Sequence, residues 1–152
     1  MAIKTFTTGE ILTASSTNDF LTNRVPDYAN TQVTSPFSTS STSYVTTGIS
    51  LTITPKATSS KILLQWQTSG FGNFYLTIYR NGSNVASAND HVTYSNSSIP
   101  WHETGFNFVD SPSTTSAITY TIYMKSLGGT VYLNSGDGGG QTSSFTALEL
   151  NR

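Results

Sequence analysis

From Val45 to Leu150 apolar and polar residues alternate with a period of two, broken at short intervals by turn chemistry. Val45, Ile49, Leu51 and Ile53 alternate with Thr and Ser until Pro55 stops the run. Ile62, Leu64 and Trp66 alternate with Leu63, Gln65 and Gln67, and Phe74, Leu76 and Ile78 with Tyr75, Thr77 and Tyr79. Asn81-Gly82 then supplies the positive φ angles of a tight hairpin, with Val85 beginning the return strand. After a less regular stretch from Asp90 to Glu103, Phe106 and Phe108 resume the alternation. Ile118, Tyr120, Ile122 and Met124 follow, and Gly128-Gly129 turns the chain into Val131 and Leu133. A last strand falls around Phe145 to Leu150. The pattern predicts an all-β head of about 8–10 short antiparallel strands, a β-sandwich or jelly roll.

Residues 1–35 follow a different rule and are expected to form an N-terminal arm, with the head occupying 36–152. Thr13 can cap one short helix running through Ala14, Asn18, Phe20 and Leu21, although the segment is poor in strong helix formers. Residues 24–43, with two prolines and a Ser/Thr run, read as an extended connector. No internal repeat stands out.

Composition sharpens this picture. About a third of the chain is Ser or Thr, well above average usage. Thr favours the pleated conformation, and its hydroxyl gives a wet face without charge. The 36% of hydrophobic residues includes eight Phe, eight Tyr and two Trp, enough large side chains for one core. A formal net charge of −1 offers no long-range field for nucleic acid or an acidic membrane. With no Cys, no disulfide or thiolate metal site can form. The first residues, MAIKTFTTGE, hold no secretory h-region, and no apolar run approaches the ~20 residues of a spanning helix. The expectation is synthesis in a cytoplasm without membrane insertion.

Candidate chemistry is sparse. Asp90-His91 and His102-Glu103 are the His–acid neighbours, and adjacent strand residues point to opposite faces, so neither pair is expected to converge. Two scattered histidines give no metal-ligand spacing. The SGDGGGQ loop at 135–141 lacks the Lys and following helix of a phosphate cradle and reads as a hairpin tip. No nucleophile elbow occurs. No catalytic residue, metal or cofactor is therefore expected. Tyr94, Trp101 and His102 are amphipathic rings in the irregular stretch and candidates for surface recognition. The opposing reading makes Trp101 a plug packed beneath a long loop. Tyr75, Tyr79 and Tyr123 lie opposite the apolar faces of their strands, which predicts a second buried surface, most simply a subunit interface.

Two stretches resemble tailed-bacteriophage virion surface proteins. FTTGEILTASSTNDFLTN, residues 6–23, is similar to an N-terminal element F-x-x-G-E-x-L-T-A-x-x-x-N-x-x-L of phage structural proteins. SYVTTGISLTITP (43–55), SSKILL (59–64), FVDSP (108–112) and TYTIYMKS (119–126) resemble, in that order, the C-terminal heads of tail fibres. Those heads resemble trimeric jelly rolls of the tumour-necrosis-factor and complement-C1q type. The resemblance implies a non-enzymatic homotrimer on the virion surface, its arm docked on other virion proteins through Phe6, Ile11, Leu12, Phe20 and Leu21. The absence of a repetitive shaft favours a short tail fibre or a capsid decoration over a long fibre. Three neutral heads would suit weak, multivalent contact with a host-surface glycan. The alternative is a stand-alone carbohydrate-binding β-sandwich module relying on Trp101. A polysaccharide-degrading spike would need paired carboxylates in one groove, which eight scattered acids do not supply.

Overall fold

The alternation turns into strands that each bury one face. The computed structural model describes Gly9 and residues 27–86, 90–96, 101–135 and 141–150. Among them run eleven strands: β1 (Tyr28–Val33), β2 (Phe37–Thr39), β3 (Val45–Ile53), β4 (Lys61–Phe71), β5 (Phe74–Arg80), β6 (Ser83–Asn84), β7 (Thr93–Ser95), β8 (His102–Asp110), β9 (Ile118–Ser126), β10 (Val131–Leu133) and β11 (Ser143–Leu150). On β9, Ile118, Tyr120, Ile122 and Met124 are fully buried, while Thr119 between them is exposed. Asn81 and Gly82 both take positive φ and close the β5–β6 hairpin as their types require.

The strands form two antiparallel sheets. In the first, β4 is flanked by β8 on one side and by β11, then β1, on the other. The second runs β3-β9-β5, with β6 and β7 sharing the far edge of β5. Followed through its principal strands β1, β3, β4, β5, β7, β8, β9 and β11, the chain visits the sheets in the order one, two, one, two, two, one, two, one. This is the strand order of a jelly roll, two interlocked Greek keys. Trp66, Phe106 and Phe145 from the first sheet pack with Phe74, Ile78, Ile122 and Met124 from the second.

β10 and β11 behave as one interrupted strand. β11 pairs with β4 up to Gln67, and β10 takes over at Gly70 and Phe71. At the break, Asn134 Oδ1 accepts from Thr68 Oγ1 (2.6 Å) and from Ser143 Oγ, so the two halves are tied although the chain leaves the sheet between them. Glu149, 2% exposed, does similar work at the opposite end. Its carboxylate accepts from Asp27 N (3.0 Å), Lys56 N (2.9 Å) and Ser60 Oγ (2.5 Å), joining the start of β1 and the β3–β4 turn to β11.

The expected extended connector is corrected here. Within residues 24–43, Tyr28–Val33 pairs along its whole length with β11, and Phe37–Thr39 pairs with β10. The physical reason is edge position: only Ala29, Val33 and Phe37 of this stretch need reach the core, so few apolar residues mark it. The sheet therefore begins at Tyr28, inside the segment assigned to the arm. The expected helix after Thr13 and the arm contacts Phe6, Ile11, Leu12, Phe20 and Leu21 lie outside the described residues.

Candidate functional site

The outer face of the second sheet carries tyrosines. Because Leu76, Ile78, Ile122 and Met124 turn inward, the period of two sends Tyr75, Tyr79 and Tyr123 outward. Tyr79 and Tyr123 stack at 3.9 Å between centroids with 21° between planes. Tyr75 stacks on His91 (4.2 Å) and tilts against Tyr94 (5.1 Å), which β7 brings alongside through the Tyr75–Tyr94 register pair. All three tyrosines are half-buried and Tyr94 is exposed.

An ion pair organises one end of this face. Lys125 Nζ reaches Asp90 Oδ2 at 2.8 Å and lies 4.4 Å from the Tyr44 ring centroid and 5.1 Å from that of Tyr75. Tyr44 Oη donates to Asp90 Oδ1 (3.1 Å). The hydrogen bond from Lys125, helped by those from Tyr44 and His91, holds the Asp90 carboxyl below its ordinary range. Burial, reinforced by Asp90, pushes the Tyr44 phenol well above the usual tyrosine value, so it stays a donor. Asp90 and His91 do meet, at 3.3 Å, contrary to expectation. Asp90 precedes the strand and has φ +58°, so the opposite-faces rule does not apply to it.

Tyr94, Trp101 and His102 do not form one surface. Tyr94 belongs to the tyrosine face. His102 points inward, its Nε2 2.6 Å from Ser95 Oγ and its ring stacked over Phe74, while neighbouring Glu103 is exposed on the other side of β8. His102 Nδ1 is buried without a hydrogen-bond partner among the described residues. Trp101 is half-buried and stands outside the core. It tilts against Phe71 (5.4 Å) and Tyr132 (6.2 Å) on the outer face of the first sheet, with φ +53°.

That outer face is banded across its strands. Tyr28, Leu148, Leu63 and Val109 make an apolar row in register. The next two rows are polar: Asn30, Thr146, Gln65 and Asn107, then Gln32, Ser144, Gln67 and Gly105. Tyr132 and Phe71, with Trp101 beside them, form an aromatic cluster farther along the same face. Over the polar rows lies a groove of about 470 Å³, lined mainly by Gln65, Gln67, Glu103, Gly105, Asn107 and Thr146. Gln65 Nε2 donates to Asn107 Oδ1 (2.9 Å), and Asn30 Nδ2 to Thr146 Oγ1 (2.8 Å). Sequence reasoning missed this groove. Its signal, polar Gln65 and Gln67 opposite Leu64 and Trp66, was present, but the register placing Asn107 beside Gln65 was not.

Among the described residues no group of three His, Cys, Asp or Glu could hold a metal ion, and no helix is long and apolar enough to cross a membrane.

No family model matches the chain, and no curated protein matches it in sequence. Solved structures give distant likenesses. The T=1 particle derived from infectious bursal virus is 18% identical, with 82% of this chain and 32% of that chain covered and a TM-score of 0.44. The VP2 subviral particle of infectious bursal disease virus is 16% identical, with 84% and 37% covered and a TM-score of 0.40. The chain spans about a third of the length of these structures. At this level of similarity the jelly-roll assignment rests on strand order alone.

Proposed function

We propose that the chain is a non-enzymatic structural protein of a bacteriophage virion. It is a homotrimeric surface appendage, a short tail fibre or capsid decoration, anchored by its N-terminal arm and displaying the jelly-roll head for host contact or shell stabilisation. The observation that carries this reading is the tyrosine face of the second sheet. Tyr79 and Tyr123 are already stacked and Tyr75 is held by His91 and Tyr94, so a second copy would cover large, amphipathic rings that have little rotamer freedom left to lose. The similarity of residues 6–23 to phage structural proteins supplies the setting.

The test has two arms. Light scattering on the full chain should give three times the mass of one chain, and Tyr79→Ser with Tyr123→Ser should lower it. A truncation ending at Pro26 leaves β1 in the sheet and should keep a folded head that no longer enters particles. A monomeric wild-type chain at micromolar concentration refutes the trimer, and normal incorporation of the truncated chain refutes the anchor.

A further inference from the structure

We propose that the amide groove on the outer face of the first sheet binds an uncharged saccharide chain. This names the ligand class for the host-contact reading above and rests on that reading for its biological setting only; the chemistry stands on the groove itself.

Three features converge. The first is hydrogen-bond pattern. The Gln65 Nε2 to Asn107 Oδ1 bond (2.9 Å) leaves Gln65 Oε1 as an acceptor and Asn107 Nδ2 as a donor on the same polar row. Adjacent sugar hydroxyls, each able to donate and accept, match such a pair. Gln67, one row along, adds a second amide with no side-chain partner among the described residues. The second feature is the floor. Gly105 stands opposite Gln67, and a Cβ there would lie 2.2 Å from the Trp66 carbonyl oxygen. No side chain can occupy that place without moving backbone, so the depression is built into the β4–β8 pairing.

The third feature is an aromatic cluster farther along the same face, beyond the residues that line the groove. Trp101, Phe71 and Tyr132 pack together on the groove side of the sheet, and Trp101 is held at φ +53°, a conformation that L side chains rarely adopt. The C–H face of a pyranose stacks on such rings while its hydroxyls reach the amides. From the Gln65 row to the Phe71 row is three two-residue steps, about 20 Å, which calls for several linked sugars rather than one. Charge excludes the anionic classes: the lining holds one carboxylate, Glu103, and no Lys or Arg. One carboxylate also lacks the partner that glycosidic cleavage needs, so the groove would hold a chain and not cut it. Its volume of about 470 Å³ falls within the ~300–1,000 Å³ usual for ligand sites.

The experiment uses the purified full chain in titration calorimetry against cello-, malto-, manno- and N-acetylchito-tetraose, with tetragalacturonate as the anionic control. At least one neutral series should bind, and Trp101→Ala and Asn107→Ala should each weaken it at least tenfold while Thr115→Ala, in the exposed turn between β8 and β9, leaves it unchanged. Asn107 is exposed, so its variant keeps the test valid where Trp101→Ala fails to fold. Absence of binding by all four neutral series, tighter binding of tetragalacturonate, or unchanged affinity in Asn107→Ala overturns the proposal. A fall in solution mass on Asn107→Ala also overturns it, because the face would then be covered by another copy of the chain. Particle incorporation does not enter these readouts, so the anchoring reading and this one fail separately.

Discussion

Replacing Tyr120 by Phe removes one buried oxygen beside Asp110 and leaves the ring in place. Tyr120 is fully buried on β9, and its Oη donates to Asp110 Oδ2 at 2.6 Å. Asp110, 8% exposed at the end of β8, also receives Arg80 Nη1 on both oxygens, at 3.0 and 2.8 Å. The Phe ring opens no cavity, so the change reports one hydrogen bond to a charged acceptor, worth about 1.5–3 kcal/mol. Asp110 keeps the guanidinium, which holds the loss near the lower half of that range, about 2 kcal/mol. With a urea slope of roughly 2 kcal/mol/M for a small domain, the unfolding midpoint should fall by about 1 M at fixed protein concentration. A midpoint within about 0.2 M of wild type would refute the reasoning, since the hydroxyl would then contribute less than ~0.5 kcal/mol on the same slope.

The alkaline limb gives a second reading of the same group. Burial, and then the bond to Asp110, push the Tyr120 phenol far above its ordinary value. A proton held more tightly in the folded chain contributes stability that is complete below the unfolded value, near 10, and is lost as pH rises from there toward the folded value. Wild type should therefore lose stability above pH ~10 by a route closed to Tyr120→Phe. The gap between the two proteins should be constant from neutral pH to about 9.5 and narrow beyond it. A gap that stays constant into strong alkali would show that the phenol ionises equally easily in both states.

Asp90 gives the opposite sign. Its carboxyl is held low, first by Lys125, so its contribution is present above the unfolded value near 3.9 and is lost as pH falls through the lower folded one. The Tyr44 and Tyr75 ring resonances should shift together below pH ~4 in wild type and stay put in Asp90→Asn; identical acid titrations would refute the role of the ion pair. Gly105→Ala places a methyl against a backbone oxygen that cannot rotate away, so a loss of about 3 kcal/mol in urea unfolding is expected. A loss below about 1 kcal/mol would mean that the β4–β8 ladder has slack there.

The strands that were legible are those that set large apolar residues on one face at alternate positions. β4, β5 and β9 announce themselves because each places three or more large apolar residues on alternate positions. β1 was hidden because Ala29, Thr31 and Val33 on its inner face are small and only half-buried, as an edge strand allows. The outward direction of the tyrosines followed from period alone. What period could not supply was which outward residues become neighbours. Tyr94 meets Tyr75 through β7, and Trp101 meets Tyr132 from the other side of β4, while Trp101 and His102, adjacent in sequence, part to opposite faces. Register, set by turns and by the tie at Asn134, decides these meetings.

The two outer faces differ in how they would meet water and a partner. On the second sheet the rings of Tyr75, Tyr79 and Tyr123 are half-buried and already stacked, so covering them removes amphipathic surface at little loss of rotamer freedom. On the first sheet the central rows present amides and hydroxyls, whose water must be replaced bond for bond by whatever binds. A face of the first kind favours a lasting contact between copies; a face of the second gives net gains of only ~0.5–1.5 kcal/mol per hydrogen bond. In the proposed trimer that weakness is useful, because three shallow grooves acting together raise avidity without any single site holding fast. The scarcity of charge has the same consequence. With one carboxylate and no cation along the groove, its contacts should change little with salt, unlike those of an electrostatically steered surface.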